Sequence, residues 1–350
     1  MRIELEHEPL DLPLAVPFTI ARGSRAVAEN VLVRLTWEAP DGRRLVGLGE
    51  AAPNAYYGEN VATVRAALDA YAPLLGDDPL ALEAILARLA HALGKNAAAR
   101  AALDMALHDL AGQLAGLPLW RWWGLDRDAG PLTSFTIGIA EPDIVARRAK
   151  AAAESGFPLL KIKLGSGDLA QDRAILAAVR EATGARLMVD ANAAWSPKEA
   201  VQIGPDLVTA GVELLEQPVA ATDLVGMAHV HAQVPLPLIA DESCVVSEDV
   251  PRVAHACDGI NIKLMKCGGL HPARRLIEVA RAHGLQVMVG CMVESSLAIT
   301  AATHLLPWLD YADLDGHLLL EADPFGGVTH ERGRLTPPDR PGLGVIPRRA

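Results

Sequence analysis

Eight short apolar runs, each about as long as a buried β-strand, follow one another through the second part of the chain. A stretch that can form a helix separates each run from the next. The runs cover residues 133–138, 158–165, 186–192, 212–218, 238–243, 259–264, 286–292 and 311–316. Strands that alternate with helices are typical of a parallel sheet, and eight of them predict a closed barrel.

The first part of the chain has a different pattern, in which strands come before helices. The predicted elements are strands at 2–12, 28–37 and 43–50 and helices at 61–75, 80–93 and 96–116. Asn96 is the expected N-cap of the last helix, and Gly116 is its expected C-terminal stop. The loops 13–25 and 52–58 are long enough to act as lids. This pattern predicts an α+β unit.

These patterns divide the chain into three parts. We expect an α+β domain at 1–125, a barrel at 126–318 and a C-terminal tail at 319–350. The tail holds several Pro and Gly without a strong period, and we expect it to pack on the first domain. The predicted fold class is α/β, a barrel preceded by an α+β domain.

The composition excludes several classes of partner. Hydrophobic residues make up 51% of the chain and aromatic residues only 4%, so the core must consist of Ala, Val, Leu and Ile. A net charge of -11 disfavours nucleic acid and anionic membranes. The four cysteines show no C-x-x-C pair, which indicates reduced side chains. The start of the chain does not resemble a signal peptide, and no apolar run approaches the roughly 18 residues of a membrane span. We therefore expect a cytoplasmic protein.

Two lysines lie two residues apart in the second predicted barrel strand. Lys161 and Lys163 share one face of that strand. Like-charge repulsion and burial are expected to lower the pKa of at least one of them toward neutrality, as a general base requires. The alternative is a strand near a sheet edge whose lysines reach water.

Acidic residues end the next three predicted strands. They are Asp190, Glu216 and Asp241, with Lys163 before them and Lys263 after them. Successive members are 22 to 27 positions apart, which is one strand–helix unit, so all should meet at one mouth of the barrel. Each acid alone could be a helix N-cap or a solvated charge. Together they predict a site for Mg²⁺, with Mn²⁺ as a substitute, and zinc is disfavoured because no pair of histidines falls at these strand ends.

Either Lys263 or Lys266 could be the lysine that faces the site from the end of the sixth barrel strand. Lys266 lies past the apolar run beside two glycines, so we expect it in a loop or at the surface. Lys163 and Lys263 are then expected on opposite faces of a substrate α-carbon, where one removes a proton and the other returns it. A divalent cation that holds the substrate carboxylate would stabilise the enolate. The predicted reaction is a racemisation or an epimerisation.

These residues resemble those of the enolase superfamily, for which a lysine base and a Mg²⁺-stabilised enediolate are known. The set is similar to that of the muconate-lactonising-enzyme subgroup and consists of Lys161, Lys163, Asp190, Glu216, Asp241 and Lys263. The resemblance covers nearly the whole chain. It implies a (β/α)7β modified TIM barrel with an α+β N-terminal capping domain whose two loops cover the mouth. It also implies that Lys163 and Lys263 are the acid/base pair and that Lys161 polarises the substrate carboxylate.

The eighth predicted strand resembles the Asp-x-Asp signature of dipeptide epimerases. Asp313 and Asp315 share a strand face and would hold an ammonium group away from the metal-bound carboxylate. The alternatives are a pair of solvated carboxylates and a structural ion pair. The stretch 290–296 is also similar to these enzymes, and Thr136 and Ser295 are expected to contact the substrate.

One position departs from the Ala-Glu epimerases of this group, in which an arginine of the first capping loop meets the Glu side chain. Gly23 stands there in this chain, and Arg22 lies one position earlier. We expect Arg22 to contact the substrate and the second residue of the dipeptide to be hydrophobic or bulky. N-acylamino-acid racemase, o-succinylbenzoate synthase, muconate cycloisomerase and a non-enzymatic metal-bound scaffold stay open as alternatives. The expected partners are a dipeptide and further copies of the chain in a homo-oligomer.

Overall fold

The computed structural model describes residues 2–348. The chain begins with an antiparallel sheet of three strands, β1 Glu4–Ile20, β2 Gly23–Glu38 and β3 Arg44–Ala51. Helices follow at α1 Val61–Tyr71, α2 Leu82–Ala92, α3 Ala97–Ala115 and α4 Leu119–Trp122. The predicted order of strands before helices is confirmed.

The prediction of a loop at 13–25 is wrong, because the strands predicted on either side of it extend into this segment. β1 runs on to Ile20 and β2 begins at Gly23, so a two-residue turn joins them. The pairing is irregular between Pro13 and Phe18, where proline removes a ladder donor without ending the strand. Residues 13–25 therefore form a β-hairpin, which we call the cover hairpin.

The start of α3 is capped in a different way from the one expected. Asn96 stands at the N-cap position with φ of 52°, but its side chain makes no capping hydrogen bond. The buried carboxylate of Glu59 accepts a hydrogen bond from the backbone N–H of Ala98 instead (3.2 Å). An acidic group suits the positive end of the helix dipole. Gly116 ends α3 in the left-handed conformation, as predicted.

Eight parallel strands form the barrel in chain order, as predicted. They are β4 Phe135–Ile137, β5 Leu159–Lys163, β6 Arg186–Asp190, β7 Val212–Glu216, β8 Leu238–Ala240, β9 Gly259–Lys263, β10 Gln286–Gly290 and β11 Tyr311–Asp313. The helices are α5 Pro142–Glu154, α6 Leu169–Ala182, α7 Pro197–Thr209, α8 Leu224–Gln233, α9 Val250–Val253, α10 Leu264–Cys267, α11 Leu270–Ala282 and α12 Ser296–Thr303. The two edges of the sheet meet where Thr133 pairs with Ala312.

A buried aspartate joins the N-terminal domain to the barrel. Asp104 on α3 accepts hydrogen bonds from the backbone N–H groups of Leu270 and His271 (2.7 and 3.1 Å). These groups lie in the first turn of α11, where the helix itself offers no acceptor. A Cβ on Gly269 would lie 2.4 Å from the Asp104 side chain, so this close approach requires glycine.

The C-terminal tail contacts α3. It contains two short antiparallel strand pairs, β12 Phe325–Gly326 with β15 Ile346–Pro347 and β13 Thr329–Glu331 with β14 Arg334–Thr336. The backbone N–H of Leu343 donates a hydrogen bond to Asp109 on α3 (2.8 Å). Residues 349 and 350 of the predicted tail lie outside the described residues. The boundaries of the three parts stay predictions.

Two expectations from composition can be compared with the structure. Across residues 2–348, every helix falls short of the length and apolar character that a membrane span needs. Cys244, Cys257, Cys267 and Cys291 are all free thiols. Burial raises the pKa of the Cys244 and Cys257 thiols to about 12, so both are protonated at neutral pH.

A buried histidine connects the end of α12 to the tail. Nδ1 of His304 accepts a hydrogen bond from the backbone N–H of Trp120 (3.2 Å), and Nε2 donates to the carbonyl of Leu343 (3.1 Å). The neutral ring satisfies both contacts, whereas a proton on Nδ1 would face another N–H group. Burial lowers the pKa of His304 to about 4.

Acidification should destabilise the protein through His304. In the unfolded chain the imidazole pKa is near 6.5, so the contribution of His304 is present above pH 6.5 and is lost as the pH falls toward 4. The loss should amount to roughly 3 kcal/mol. The measurement is the urea unfolding free energy between pH 7 and pH 4. His304→Gln should lose less stability than the wild type, and exposed His255→Gln should follow the wild type. Parallel curves for wild type and His304→Gln would contradict this account.

Candidate active site

Three buried carboxylates meet at the C-terminal mouth of the barrel. Asp190 and Glu216 are the last residues of β6 and β7, and Asp241 comes directly after β8. One oxygen atom from each lies within 4.8 Å of the other two. All three side chains are buried, and Oε2 of Glu216 faces the ammonium group of Lys161 at 2.7 Å. A cluster of oxygen donors of this kind fits a hard divalent cation such as Mg²⁺.

Two lysines reach this cluster from different strands. Lys163 ends β5, and its Nζ lies 2.6 Å from Oδ2 of Asp190. Lys263 ends β9, and its Nζ lies 2.7 Å from Oδ2 of Asp241. Three strands separate β5 from β9, so the two ammonium groups approach from different parts of the mouth. A Cβ on Gly290 would lie 3.1 Å from Cε of Lys263, so glycine there gives this lysine room.

Lys161 lies among the buried acids. Its Nζ is 2.7 Å from Glu216, 2.7 Å from Asp313 and 3.1 Å from Asp190. A lowered pKa was expected for at least one lysine of the pair on β5, and for Lys161 the direction is the opposite, as it is for Lys263. Burial by itself lowers the pKa of each, but the neighbouring carboxylates outweigh burial, so both pKa values are raised.

The same ion pairs separate the pKa values of the three carboxylates. Burial alone raises the pKa of a carboxyl group. The neighbouring lysines outweigh burial at Asp190 and Asp241 and hold the pKa of each below its usual value. Burial and the charge of Asp190 instead raise the pKa of Glu216 to about 7.

The expectation that Lys266 lies in a loop or at the surface is wrong. Its side chain is only 1% exposed, and the short helix α10 turns it back toward the mouth. Nζ contacts Oδ1 and the backbone carbonyl of Asp241 and the carbonyls of Asn261 (2.9 Å) and Cys244 (3.2 Å). The signal in the sequence was the spacing from Lys263, since a residue one helical turn beyond a strand end can return to the same site.

Two acids lie at the end of the eighth strand. Asp313 is the last residue of β11, and both Asp313 and Asp315 are 5% exposed or less, which excludes a solvated pair. Thr136 on β4 lies beside them and donates its backbone N–H to Asp315 (2.5 Å) and its hydroxyl to Asp313 (3.0 Å). Burial and the charge of Asp313 raise the pKa of Asp315 to about 7. Burial is outweighed at Asp313 by Lys161, which lowers the pKa of that carboxyl.

A cavity of about 460 Å³ lies against these groups. Lys163, Lys263, Asp313 and Asp315 line it on the barrel side. The cover hairpin contributes Phe18, Ile20, Arg22, Gly23, Ser24 and Arg25. The second predicted loop contains a turn of 3₁₀ helix at Ala55–Tyr57 and contributes Asn54, Ala55 and Tyr56. Both capping segments therefore border the cavity.

Arg22 lines the cavity, but its guanidinium is held by the barrel. Nη1 donates to the carbonyl of Asn192 (2.9 Å) and lies 2.8 Å from Oε1 of Glu242. The Glu242 side chain is fully buried, and the charge of Arg22 compensates its negative charge. The guanidinium also lies 4.5 Å from the ring centre of Tyr56. These contacts leave Arg22 little freedom to bind a substrate charge.

Ser295 was expected to contact the substrate, and the structure corrects this. The side chain is fully buried, and its hydroxyl and backbone N–H both donate to the carboxylate of Glu50 on β3. Asn30 on β2 donates to Glu50 (2.7 Å) and to the carbonyl of Val293 (3.1 Å). Ser295 thus belongs to a hydrogen-bonded seam between the N-terminal domain and the barrel.

Family models match both parts of the chain. Residues 3–124 match the mandelate racemase / muconate lactonizing enzyme N-terminal domain, and residues 144–350 match the enolase C-terminal domain-like family. The fold and the acidic cluster thus define a capped barrel of the enolase type. The chain belongs to the mandelate racemase / muconate lactonizing enzyme family.

Several relatives match over the whole chain. The L-Ala-D/L-Glu epimerase of Bacteroides thetaiotaomicron is 40% identical over 346 residues, which are 99% of this chain and 88% of that protein. The hydrophobic dipeptide epimerase of Roseobacter litoralis is 39% identical over 352 residues, covering 98% and 99% of the two chains. A crystal structure of the dipeptide epimerase of Enterococcus faecalis, complexed with Mg and L-Leu-L-Tyr, has a TM-score of 0.92 at 37% identity and covers 99% of both chains.

Removing the buried ammonium of Lys266 should destabilise the fold. Lys266→Met leaves four buried oxygen acceptors without their donor, and loss of one partner of a buried ion pair costs about 3–5 kcal/mol. A decrease of this size is expected in the unfolding free energy measured with denaturant. Lys198→Met, at an exposed position of α7, should change it by less than about 0.5 kcal/mol. Equal effects of the two substitutions would refute the assignment.

Proposed function

We propose that the protein is a Mg²⁺-dependent epimerase that inverts the α-carbon of the C-terminal residue of a dipeptide. The observation that carries this proposal is the approach of Lys163 and Lys263 to one carboxylate cluster from different strands. One base suffices to remove a proton, whereas inversion needs a second group on the other face. The names of the epimerase relatives support the dipeptide as the substrate.

Asp190, Glu216 and Asp241 would hold the Mg²⁺ ion. All three are buried, and one carboxylate oxygen of each lies within 4.8 Å of the other two. Bound Mg²⁺ would supply positive charge that stabilises the anion formed when the α-proton leaves. The Enterococcus faecalis relative, whose structure is complexed with Mg, supports this assignment.

Lys163 and Lys263 would move the proton. The neutral lysine on one side takes the α-proton, and the ammonium group on the other side donates a proton to the opposite face. The two lysines exchange roles in the reverse direction, so both epimers are substrates. Lys161 contacts the same cluster and would place its positive charge against the substrate carboxylate, where negative charge grows.

The acids at the eighth strand favour a substrate with a free amino group. Within residues 2–348, the hydrogen bonds to the carboxylate of Asp315 come from Thr136. The ammonium group of a dipeptide would donate a charge-assisted hydrogen bond to this carboxylate. N-acylamino-acid racemase, o-succinylbenzoate synthase and muconate cycloisomerase act on substrates without that group, so the same residues disfavour these alternatives.

The cover hairpin favours a hydrophobic second residue in the dipeptide. Phe18 and Ile20 line the cavity, and Gly23, opposite Ile20, leaves space there. Arg22 is paired with Glu242 and is not free to bind an acidic side chain. Higher turnover of L-Ala-L-Glu than of L-Ala-L-Leu would contradict this preference and would implicate Arg25, an exposed basic residue of the same hairpin that also lines the cavity.

The assembly and the location of the protein stay predictions. We expect a homo-oligomer in the cytoplasm that binds neither nucleic acid nor membrane, consistent with the net charge of -11. Light scattering of the purified protein would measure the number of subunits.

Deuterium uptake tests the proposed reaction. The protein is incubated in D₂O with Mg²⁺ and a library of dipeptides, and the products are analysed by mass spectrometry and chiral chromatography. We expect one deuterium at the α-carbon of the C-terminal residue together with formation of the other epimer. EDTA should abolish both signals. Absence of deuterium uptake with every dipeptide of the library would refute the proposed function.

Variants that lack one lysine test which lysine acts on each face of the α-carbon. Lys263→Ala should lower epimerisation by about 10³-fold but keep exchange in the one epimer whose proton faces Lys163. Lys163→Ala should keep exchange only in the opposite epimer. If both variants are folded and epimerise as fast as the wild type, neither lysine takes part in proton transfer. If the wild type itself has no activity, a metal-binding scaffold is favoured.

A further inference from the structure

The guanidinium of Arg22, at the turn of the cover hairpin, contacts three separate segments around the cavity. It donates a hydrogen bond to the carbonyl of Asn192 in the loop after β6 (2.9 Å) and lies 2.8 Å from Oε1 of Glu242 in the loop after β8. It also lies 4.5 Å from the ring centre of Tyr56 in the second capping segment, residues 52–58. One side chain thus connects both capping segments to two strand ends of the barrel.

The two strand ends that Arg22 contacts also carry acids of the carboxylate cluster. Asn192 comes two residues after Asp190, and Glu242 directly follows Asp241. The backbone N–H and the side-chain amide of Asn192 both donate to Asp190 (2.8 and 3.2 Å), which fixes the loop after β6 relative to the cluster. The place where Arg22 holds the hairpin is therefore set by the same loops that set the position of the acids.

Other contacts of the hairpin tip with the barrel involve backbone and small groups. The carbonyl of Thr19 accepts a hydrogen bond from the backbone N–H of Ile139 (2.9 Å). Ala21 packs close to Gly165, where an added Cβ would lie 3.4 Å from the Cβ of Ala21. Neither of these contacts involves a charge, so the ion pair of Arg22 is the contact expected to hold the tip in place.

The burial of Glu242 makes this ion pair both strong and reversible. The side chain of Glu242 is 0% exposed, whereas that of Arg22 is 29% exposed. A buried carboxylate without its cation is costly, which favours the docked hairpin. When the tip moves away, water reaches Glu242 and reduces that cost. The ion pair can therefore break when the mouth opens to admit a substrate and form again when the mouth closes.

We propose that Arg22 is a positioning residue, whose ion pair with Glu242 holds the cover hairpin where Phe18 and Ile20 form a wall for the side chain of the second residue of the dipeptide. The inference rests on the proposed function and goes beyond it, because Arg22 acts through the hairpin and not through a bond to the substrate. A wall already in place lowers the ordering cost of binding, so its loss should weaken binding rather than slow proton transfer. The contact with Tyr56 extends the same restraint to the second capping segment.

Hydrogen exchange tests the docking of the hairpin without any substrate. Amide exchange in peptides from residues 13–25 is followed by mass spectrometry for the wild type, Arg22→Met and Glu242→Gln. Both substitutions should speed exchange in the cover hairpin about 10-fold and leave exchange in the barrel strands unchanged. The control is Arg147→Met, which removes an exposed ion pair with Asp143 on α5 and should leave the hairpin at the wild-type rate. Wild-type exchange rates in the hairpin of both test variants would overturn the proposal.

Two dipeptides that differ in the size of the second side chain test the effect on binding. Deuterium uptake at the C-terminal α-carbon is measured for L-Ala-L-Leu and L-Ala-L-Ala at saturating Mg²⁺. Arg22→Met should raise KM about 10-fold for L-Ala-L-Leu and less than about threefold for L-Ala-L-Ala, with kcat within about twofold for both. Arg22→Lys keeps the positive charge and should recover most of the loss. A loss confined to L-Ala-L-Glu would instead mean that Arg22 binds the substrate, and it would overturn the proposal.

A double variant distinguishes the ion pair from two independent effects. If Arg22 acts through Glu242, the two losses overlap, so Arg22→Met combined with Glu242→Gln should raise KM little more than Arg22→Met alone. Full additivity of the two losses would refute the coupling. Thermal unfolding confirms that each variant is folded. If the wild type exchanges no dipeptide, the proposed function has failed, whereas hydrogen exchange still decides whether Arg22 holds the hairpin.

Discussion

The site depends on the alternation of buried positive and negative charges at one end of the barrel. Four lysines and several carboxylates meet there, and each lysine touches at least one acid. A charge buried in this place without a partner would strongly destabilise the folded protein. Removing one member of any of these ion pairs would leave such a charge behind. The barrel strands and the short helix α10 bring these partners within contact. The network is therefore satisfied only when the whole barrel has closed.

The barrel and its chemistry could be predicted because both follow a simple repeat. Parallel strands in a barrel end at one mouth, so Asp190, Glu216 and Asp241 had to meet once the strands were assigned. The direction of each side chain on a strand follows from its position, which also placed Lys163 and Lys263 there. Neither inference needed any knowledge of long-range packing.

The features that were missed depend on contacts between segments distant in sequence. Lys266 points toward the site because the helix that carries it, α10, is one turn long. Ser295 donates its hydrogen bonds to Glu50, which belongs to the N-terminal domain. Glu59 replaces Asn96 at the start of α3 for the same reason. The prediction of a lowered pKa fails at Lys161 because it considered the neighbouring lysine but not the acids that face Lys161. Local pattern alone contains none of these relations.

The cover hairpin has a consequence for how this protein can diverge. It is a paired ribbon, so Phe18 and Ile20, and their partners Arg25 and Gly23, occupy alternating positions along two adjoining strands. The lysines proposed to transfer the proton lie in the barrel, on other parts of the chain. A few substitutions along one ribbon could therefore adapt the protein to new peptides while the reaction chemistry is inherited unchanged, so that recognition and reactivity can evolve as separable modules.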